Sequence, residues 1–258
     1  MSTPRASIVR ILVMETRTEF VKLVRLPAFV IPSLALPLLF YVFFGLALGG
    51  QRSASGTSIA TYMLATYGTF GVVGAALFGL GIGVATERGQ GWLLVKRASP
   101  MPPFAYFAAK VAMAMLFASV VALLLFAAGA IFGHVRLAGA QWLTLFVSLV
   151  LGAVPFCAFG CAIGAIAGPN SAPATVNLVY LPMAFASGLW LPFEMLPPVV
   201  RAIGPAMPPF HLARLALHAI GSDSSSPLMH VAALTGFSVA FLGIAIAAFR
   251  RDEGKAYG

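Results

Sequence analysis

Six apolar stretches of about 20 residues or more run through this chain, at 28 to 50, 59 to 85, 104 to 133, 142 to 168, 172 to 193 and 229 to 249. Each is long enough for a helix to cross roughly 30 Å of hydrocarbon, and the only ionisable residues inside these limits are Lys110 and His230. Backbone in lipid must satisfy its own hydrogen bonds, which leaves helices and closed barrels as spanning structures. Continuous apolar runs of this length predict an all-α polytopic membrane protein with six transmembrane helices in a single membrane domain over 1–258. Residues 1–27 precede the membrane part, 28–249 form it, and 250–258 are a tail.

Only 9% of the 258 residues are charged and 60% are apolar, against roughly 25% charge in a soluble domain. The formal charge of +9 comes from cations beside the apolar runs. A nucleic-acid groove would interleave them with aromatic residues on a soluble face. Cys157 and Cys161 lie four apart in one apolar run, which excludes a disulfide framework; two thiols without nearby His or carboxylate read as core residues.

Twelve of the sixteen Lys and Arg fall in the amino-terminal segment, the 86 to 103 loop with Lys110, and the tail, against four in the alternate loops. The positive-inside rule then places both termini in the cytoplasm of a bacterial-type inner membrane. The first apolar run is too long for a signal-peptide core and is read as a retained span. Before it, Val13, Phe20, Leu23 and Val24 share one side of a helix, and Glu15, Glu19, Lys22 and Arg25 fall mostly on the other. Such a pattern predicts a cytoplasmic amphipathic helix along the inner leaflet.

Helices in lipid associate through small residues. Gly160, Gly164 and Gly168 form a ladder at spacing four, with shorter ones at Gly79 and Gly83 and at Gly45 and Gly49. Pro27, Pro32 and Pro37 should bend the first span. Catalytic patterns are sparse. No Gly-x-x-x-x-Gly-Lys-Ser/Thr loop precedes any lysine and no His-Glu-x-x-His helix occurs, so the chain holds no catalytic, cofactor or metal residues of these kinds. A Ser187/His230 pair across two spans is the one arrangement that could serve an intramembrane serine hydrolase.

Two loops carry more information. Thr86 to Pro103 leaves its span through Glu87 and Arg88, continues around Trp92 to Arg97, and stops at Ser99-Pro100. Trp92 and Leu93 are costly to leave in water, and Glu87, Arg88, Lys96 and Arg97 offer charge to a soluble partner. After the fifth run, the segment through Glu194, Pro197, Pro198, Arg201 and His211 is apolar yet broken by proline. It predicts short re-entrant or interfacial helices before the last span, which either cap an exit path or anchor a helix end.

The basic amino-terminal helix, the Glu87-Arg88-Gly89 to Ser99-Pro100 stretch with Lys110, and Ser187-Gly188-Leu189-Trp190-Leu191-Pro192-Phe193 with Leu196-Pro197-Pro198 and Pro208 occur in that order. In this the chain resembles the permeases of the ABC-2 family of ATP-binding-cassette exporters over nearly its whole length, departing at Gln90-Gly91-Trp92, where a Thr-Leu-Glu-like stretch is common. The resemblance implies a permease that is not itself catalytic. It would pair with a second copy or a sister subunit and be powered by two cytosolic P-loop ATPases that hold ATP and Mg. The 86 to 103 loop would be the coupling helix, with Glu87, Arg88, Gly89, Trp92, Leu93, Lys96 and Arg97 at the ATPase contact. Glu194, Pro197, Pro198, Arg201 and His211 would form an outer gate. Spans without carboxylates suit lipophilic or amphipathic cargo better than an ion, and the resemblance implies that it is moved outward. A non-transporting membrane anchor is the remaining alternative.

Overall fold

The computed structural model describes residues 8–53, 56–92 and 103–256, and the described residues contain ten α-helices and no named strand. They are α1 (Ile8–Val24), α2 (Pro27–Phe40), α3 (Ile59–Gly89), α4 (Pro103–Ile131), α5 (Gly139–Leu151), α6 (Val154–Ile166), α7 (Ala172–Ala186), α8 (Pro198–Ile203), α9 (Pro208–Ala219) and α10 (Pro227–Ala256).

Helix α3 is the hub. Ser58 caps its start, the hydroxyl accepting from the Thr61 amide at 3.2 Å, and apolar or small residues follow on every side, so the helix is buried nearly all round. Around it pack α2, α4, α6, α7 and α9. Pro32 and Pro37 lie inside α2, each removing one backbone donor, and the helix widens into a π-helical turn over Tyr41–Leu46. Gly45 permits this turn: a Cβ there would sit 2.8 Å from the Tyr41 ring. Between α5 and α6 the chain breaks at Gly152, where a Cβ would meet Leu212 at 2.2 Å, and α6 restarts with Pro155 in its first turn.

Among the described residues, five helices, two of them composite, are long and apolar enough to cross a membrane: Phe29–Leu46, Ile59–Gly89, Phe104–Ile131, Gly139–Ile166 and Pro227–Arg251. The expected run at 172 to 193 differs. Its helix α7 has only 15 residues, about 22 Å, because a left-handed Gly188 (φ +72°) ends it. There the Leu189 amide reaches back to the Ala184 carbonyl at 3.1 Å. The segment nonetheless follows α3 along its length. Pro169 packs at Gly89, Val176 at Gly81 and Tyr180 at Gly74; the Tyr67 hydroxyl donates to the Trp190 carbonyl at 2.9 Å, and the Phe193 amide to the Tyr62 hydroxyl at 3.3 Å. From position 89 to 62 is about 40 Å of helix.

Short proline-started pieces follow: Phe193–Met195, α8, Gly204–Ala206 and α9. Two apolar cores stack along the bundle. One lies around Phe70 to Ala85 with α6 and α7, the other around Ile59 to Tyr67 with the later part of α4, Leu145 and Leu149 of α5, and the end of α9.

The amino-terminal helix presents a different face from the expected one. Ile11, Leu12, Glu15, Thr16, Glu19, Phe20 and Leu23 are the less exposed residues of α1, and Val13 and Val24 are exposed. Glu19, read from the sequence as polar and outward, is buried because a lysine from α4 lies over it.

Candidate functional site

The end of the bundle where α3 stops gathers charge that apolar helices ordinarily exclude. Glu87 sits in the last turn of α3 and Lys110 two turns into α4; both are buried, at 5% and 1% exposure. The Lys110 ammonium donates to Glu87 Oε1 at 3.0 Å and to Glu19 Oε2, from α1, at 2.8 Å. Tyr106, one turn before Lys110, donates its hydroxyl to Glu87 Oε2, and the Lys110 Nζ stands 5.0 Å from the Tyr106 ring centroid. Lys22 of α1 bonds Glu87 and approaches Glu19 Oε2 at 3.4 Å. Partial burial acts to lower the Lys22 ammonium, but Glu87 and Glu19 outweigh it and hold the ammonium above its ordinary value. Three helices are thereby tied at one point, and a buried ion cluster of this kind holds a defined geometry because loss of any member leaves a charge unpaired.

Beside it, Arg88 Nη2 donates to the Ala167 carbonyl at 2.9 Å and Nη1 to that of Ala165. A cation is well placed on the orphan carbonyls at the end of α6. Gly89 allows the chain after α6 to come close, since a Cβ there would lie 2.2 Å from Pro169 Cγ.

Of the three residues read from the sequence as a docking surface, Glu87 is therefore turned inward on α1 and α4, Arg88 is half-buried against the end of α6, and Gly89 is exposed. Trp92 is exposed, at 53%, and Leu93, Lys96 and Arg97 lie outside the described residues. Gly160 and Gly164 face α3: a Cβ at 160 would stand 3.1 Å from the Ala76 carbonyl, and one at 164 only 2.8 Å from that of Gly81. Gly168 meets no more than the Ser171 hydroxyl at 3.6 Å.

At the other end, Glu194, Pro197, Pro198 and Arg201 are exposed, and His211 is buried at 8% away from solvent. His211 is brought to His230, with Nδ1 atoms 2.9 Å apart. The Ser187/His230 pair is not formed. The Ser187 hydroxyl is buried without a hydrogen-bond partner, and His230 Nε2 instead meets the hydroxyl of Ser225 at 2.8 Å. Cys157 and Cys161 are free and buried.

Between α2, α3 and α7 opens a cavity of about 210 Å³ lined by Phe29, Pro37, Phe70, Phe78 and Tyr180, with Asn177 at its polar edge. The Tyr180 hydroxyl donates to the Phe70 carbonyl at 2.6 Å, so the wall is aromatic and its polar atom is engaged. Sequence reasoning singled out Glu87 and Lys110 but missed Tyr106. An isolated lysine in an apolar run, with a tyrosine one turn before it, was the available signal.

A sequence model of the family described as ABC-2 type transporter matches residues 12–220. A curated protein of Bacillus subtilis (strain 168) with the name transport permease YvfS is 31% identical over 197 residues, covering 75% of this chain and 78% of that protein.

Proposed function

The chain belongs to the ABC-2 type transporter family, and from that premise we propose that it is the permease half of an exporter that moves a lipophilic or amphipathic substrate outward. As a member of the family it is a multi-pass membrane subunit of an ABC transporter, a transport protein and not itself a catalyst, working with an ABC ATPase subunit. In our reading two permeases meet, as a homodimer or with a sister subunit, and two cytosolic ATPases supply ATP and Mg. The Glu87 end of the bundle faces the cytoplasm, as do both termini, in a bacterial-type inner membrane. Counting the segment 169 to 193 as a crossing gives six.

The observation that carries this reading is how the two helices on either side of residues 93–102 are joined. They meet in one ion cluster, Glu87 from α3 and Lys110 from α4, with α1 as third member through Glu19. A partner that moves the loop moves three helices together, and a partner whose nucleotide states hold the loop differently shifts their equilibrium. Glu87 and Arg88 then transmit the movement from within the bundle and Gly89 from its edge, while Trp92, Leu93, Lys96 and Arg97 make the contact. The cavity at Tyr180 supports apolar cargo, and the exposed Met195, Val199 and Ile203 with Glu194, Pro197, Pro198 and Arg201 support a gate at the outer end. Tagged protein extracted in mild detergent should carry a P-loop ATPase, lost on Trp92→Ala/Lys96→Glu/Arg97→Glu and retained on Val199→Glu. Absence of any ATPase from the native chain, or equal retention in both variants, contradicts the reading.

A further inference from the structure

Far from the Glu87 cluster, one hydrogen-bonded line crosses from α9 to α10. His211 Nε2 lies 3.0 Å from the Pro205 carbonyl, His211 Nδ1 lies 2.9 Å from His230 Nδ1, and His230 Nε2 lies 2.8 Å from Ser225 Oγ. A carbonyl only accepts, so Nε2 of His211 carries a hydrogen and Nδ1 of the neutral ring is an acceptor. His230 must then donate from Nδ1, and its Nε2 accepts from the Ser225 hydroxyl. With both rings neutral every group is satisfied by this single assignment.

Protons disturb it unequally. A first proton on His230 Nε2 is tolerated, since the Ser225 hydroxyl can turn and accept. A second has only Nδ1 of His211, where it would point at the N–H of His230. Two imidazolium rings cannot keep that contact. The surroundings offer little relief: His230 is 1% and His211 8% exposed, and the ring of Phe210 packs against both, with Phe237 against His211.

The charged and titratable groups facing the pair are Arg214 and His218 of α9 and Asp223 of the loop before α10. Beyond them stand Tyr62 of α3 and Glu194, next to Phe193, on whose ring Arg214 rests at 5.1 Å. Asp223 is the near anion and is already engaged, accepting from Arg214 at 2.8 Å and from the Ser225 amide at 2.6 Å. Arg214 and His218 oppose a further positive charge. Burial also holds His211 below its ordinary value, although its bond to Pro205 pulls the other way.

We propose that His211 and His230 form a two-proton latch: the neutral pair closes α9 onto α10, and the doubly protonated pair releases them. That the sensed acidity is extracytoplasmic rests on the orientation proposed above; the latch itself does not.

Reporter cysteines in nanodiscs, open on both sides, test it. Leu234→Cys lies one turn beyond His230 and is 5% exposed at the parent leucine; Ser224→Cys, at an exposed loop position, normalises for thiolate chemistry. From pH 8 to 5, relative labelling at 234 should rise below about pH 6.5. Because the closed pair holds at most one proton and the open pair two, the rise is tenfold per pH unit or more, and approaches 100-fold where the closed pair is still neutral. His211→Gln or His230→Gln alone should reduce it to tenfold at most, and the double variant should be flat. A flat native profile, or an unchanged rise in the double variant, overturns the latch. Should a variant fail to fold, imidazole ¹⁵N shifts of the native protein at pH 8 decide: protonated Nε2 on His211 and protonated Nδ1 on His230 are required, and any other pair of tautomers overturns it. On intact cells, an impermeant reagent that fails to reach Ser224→Cys refutes the orientation and leaves the latch standing.

Discussion

Replacing Lys110 with methionine removes one ammonium from between two carboxylates and leaves the volume almost unchanged. The lost contacts are the bonds to Glu19 at 2.8 Å and Glu87 at 3.0 Å, made by a side chain 1% exposed. Removing one partner of a buried pair costs about 3–5 kcal/mol. Lys22 and Tyr106 still reach the carboxylates, so the low end applies, and Lys110→Met should cost about 3 kcal/mol. At about 2–4 °C per kcal/mol for chains near this length, thermal unfolding in detergent should fall by roughly 6–12 °C. Lys110→Met/Glu19→Gln leaves one carboxylate for Lys22 and should recover more than half of that loss. The two variants and the Glu19→Gln single form a cycle that isolates the coupling. If Lys110→Met melts with the native protein, or if the double variant is less stable than Lys110→Met, the buried pairing is not what holds this end together.

Glu87→Lys would add a third ammonium to the cluster and lower expression of folded protein, whereas Glu87→Gln should leave folding largely intact and reduce ATP-driven transport; fluorescence-detected size exclusion beside a transport assay separates the two. Gly164→Val should force α6 off α3, since a Cβ there already meets the Gly81 carbonyl at 2.8 Å; overpacking of this kind costs about 1–3 kcal/mol, and Gly168→Ala, whose Cβ would make only ordinary contact with the Ser171 hydroxyl at 3.6 Å, should melt like the native chain. Burial acts to raise the Asp223 carboxyl, but the bonds from Ser225 and Arg214 outweigh it and hold the carboxyl below the usual carboxylate range. That stabilisation is complete above the ordinary value of about 3.9 and is lost as pH falls through the lower folded value, so Asp223→Asn should flatten the acid limb of a melting-temperature profile.

Helix content and most boundaries were legible because lipid permits so few solutions. The 59 to 85 run became Ile59–Gly89 with its start unchanged, since Ser58 and the apolar run both mark it. Where the sequence misled, a distant partner decided. Glu19 lies 91 residues from Lys110, and nothing in the pattern of α1 could reveal that a lysine from another helix would draw its carboxylate inward. Glu87 followed by Arg88 reads as a solvated exit from the membrane; Tyr106, Lys110 and the carbonyls of Ala165 and Ala167 turn both inward. The shortness of α7 was visible in Ser187-Gly188, a helix stop the length of the apolar run concealed. Nor did the pattern show that His211 and His230 meet, 19 positions apart on separate helices.

The central claim is that a nucleotide-driven partner acts on this chain through the end of the bundle holding Glu87. A photo-crosslinking amino acid in place of Trp92, irradiated in native membranes, tests it most directly, with Val199 at the opposite end as the control. Capture at 92 of a protein that mass spectrometry identifies as a P-loop ATPase, absent from 199, is the predicted result. No ATPase at 92, or equal capture at both positions, would contradict it.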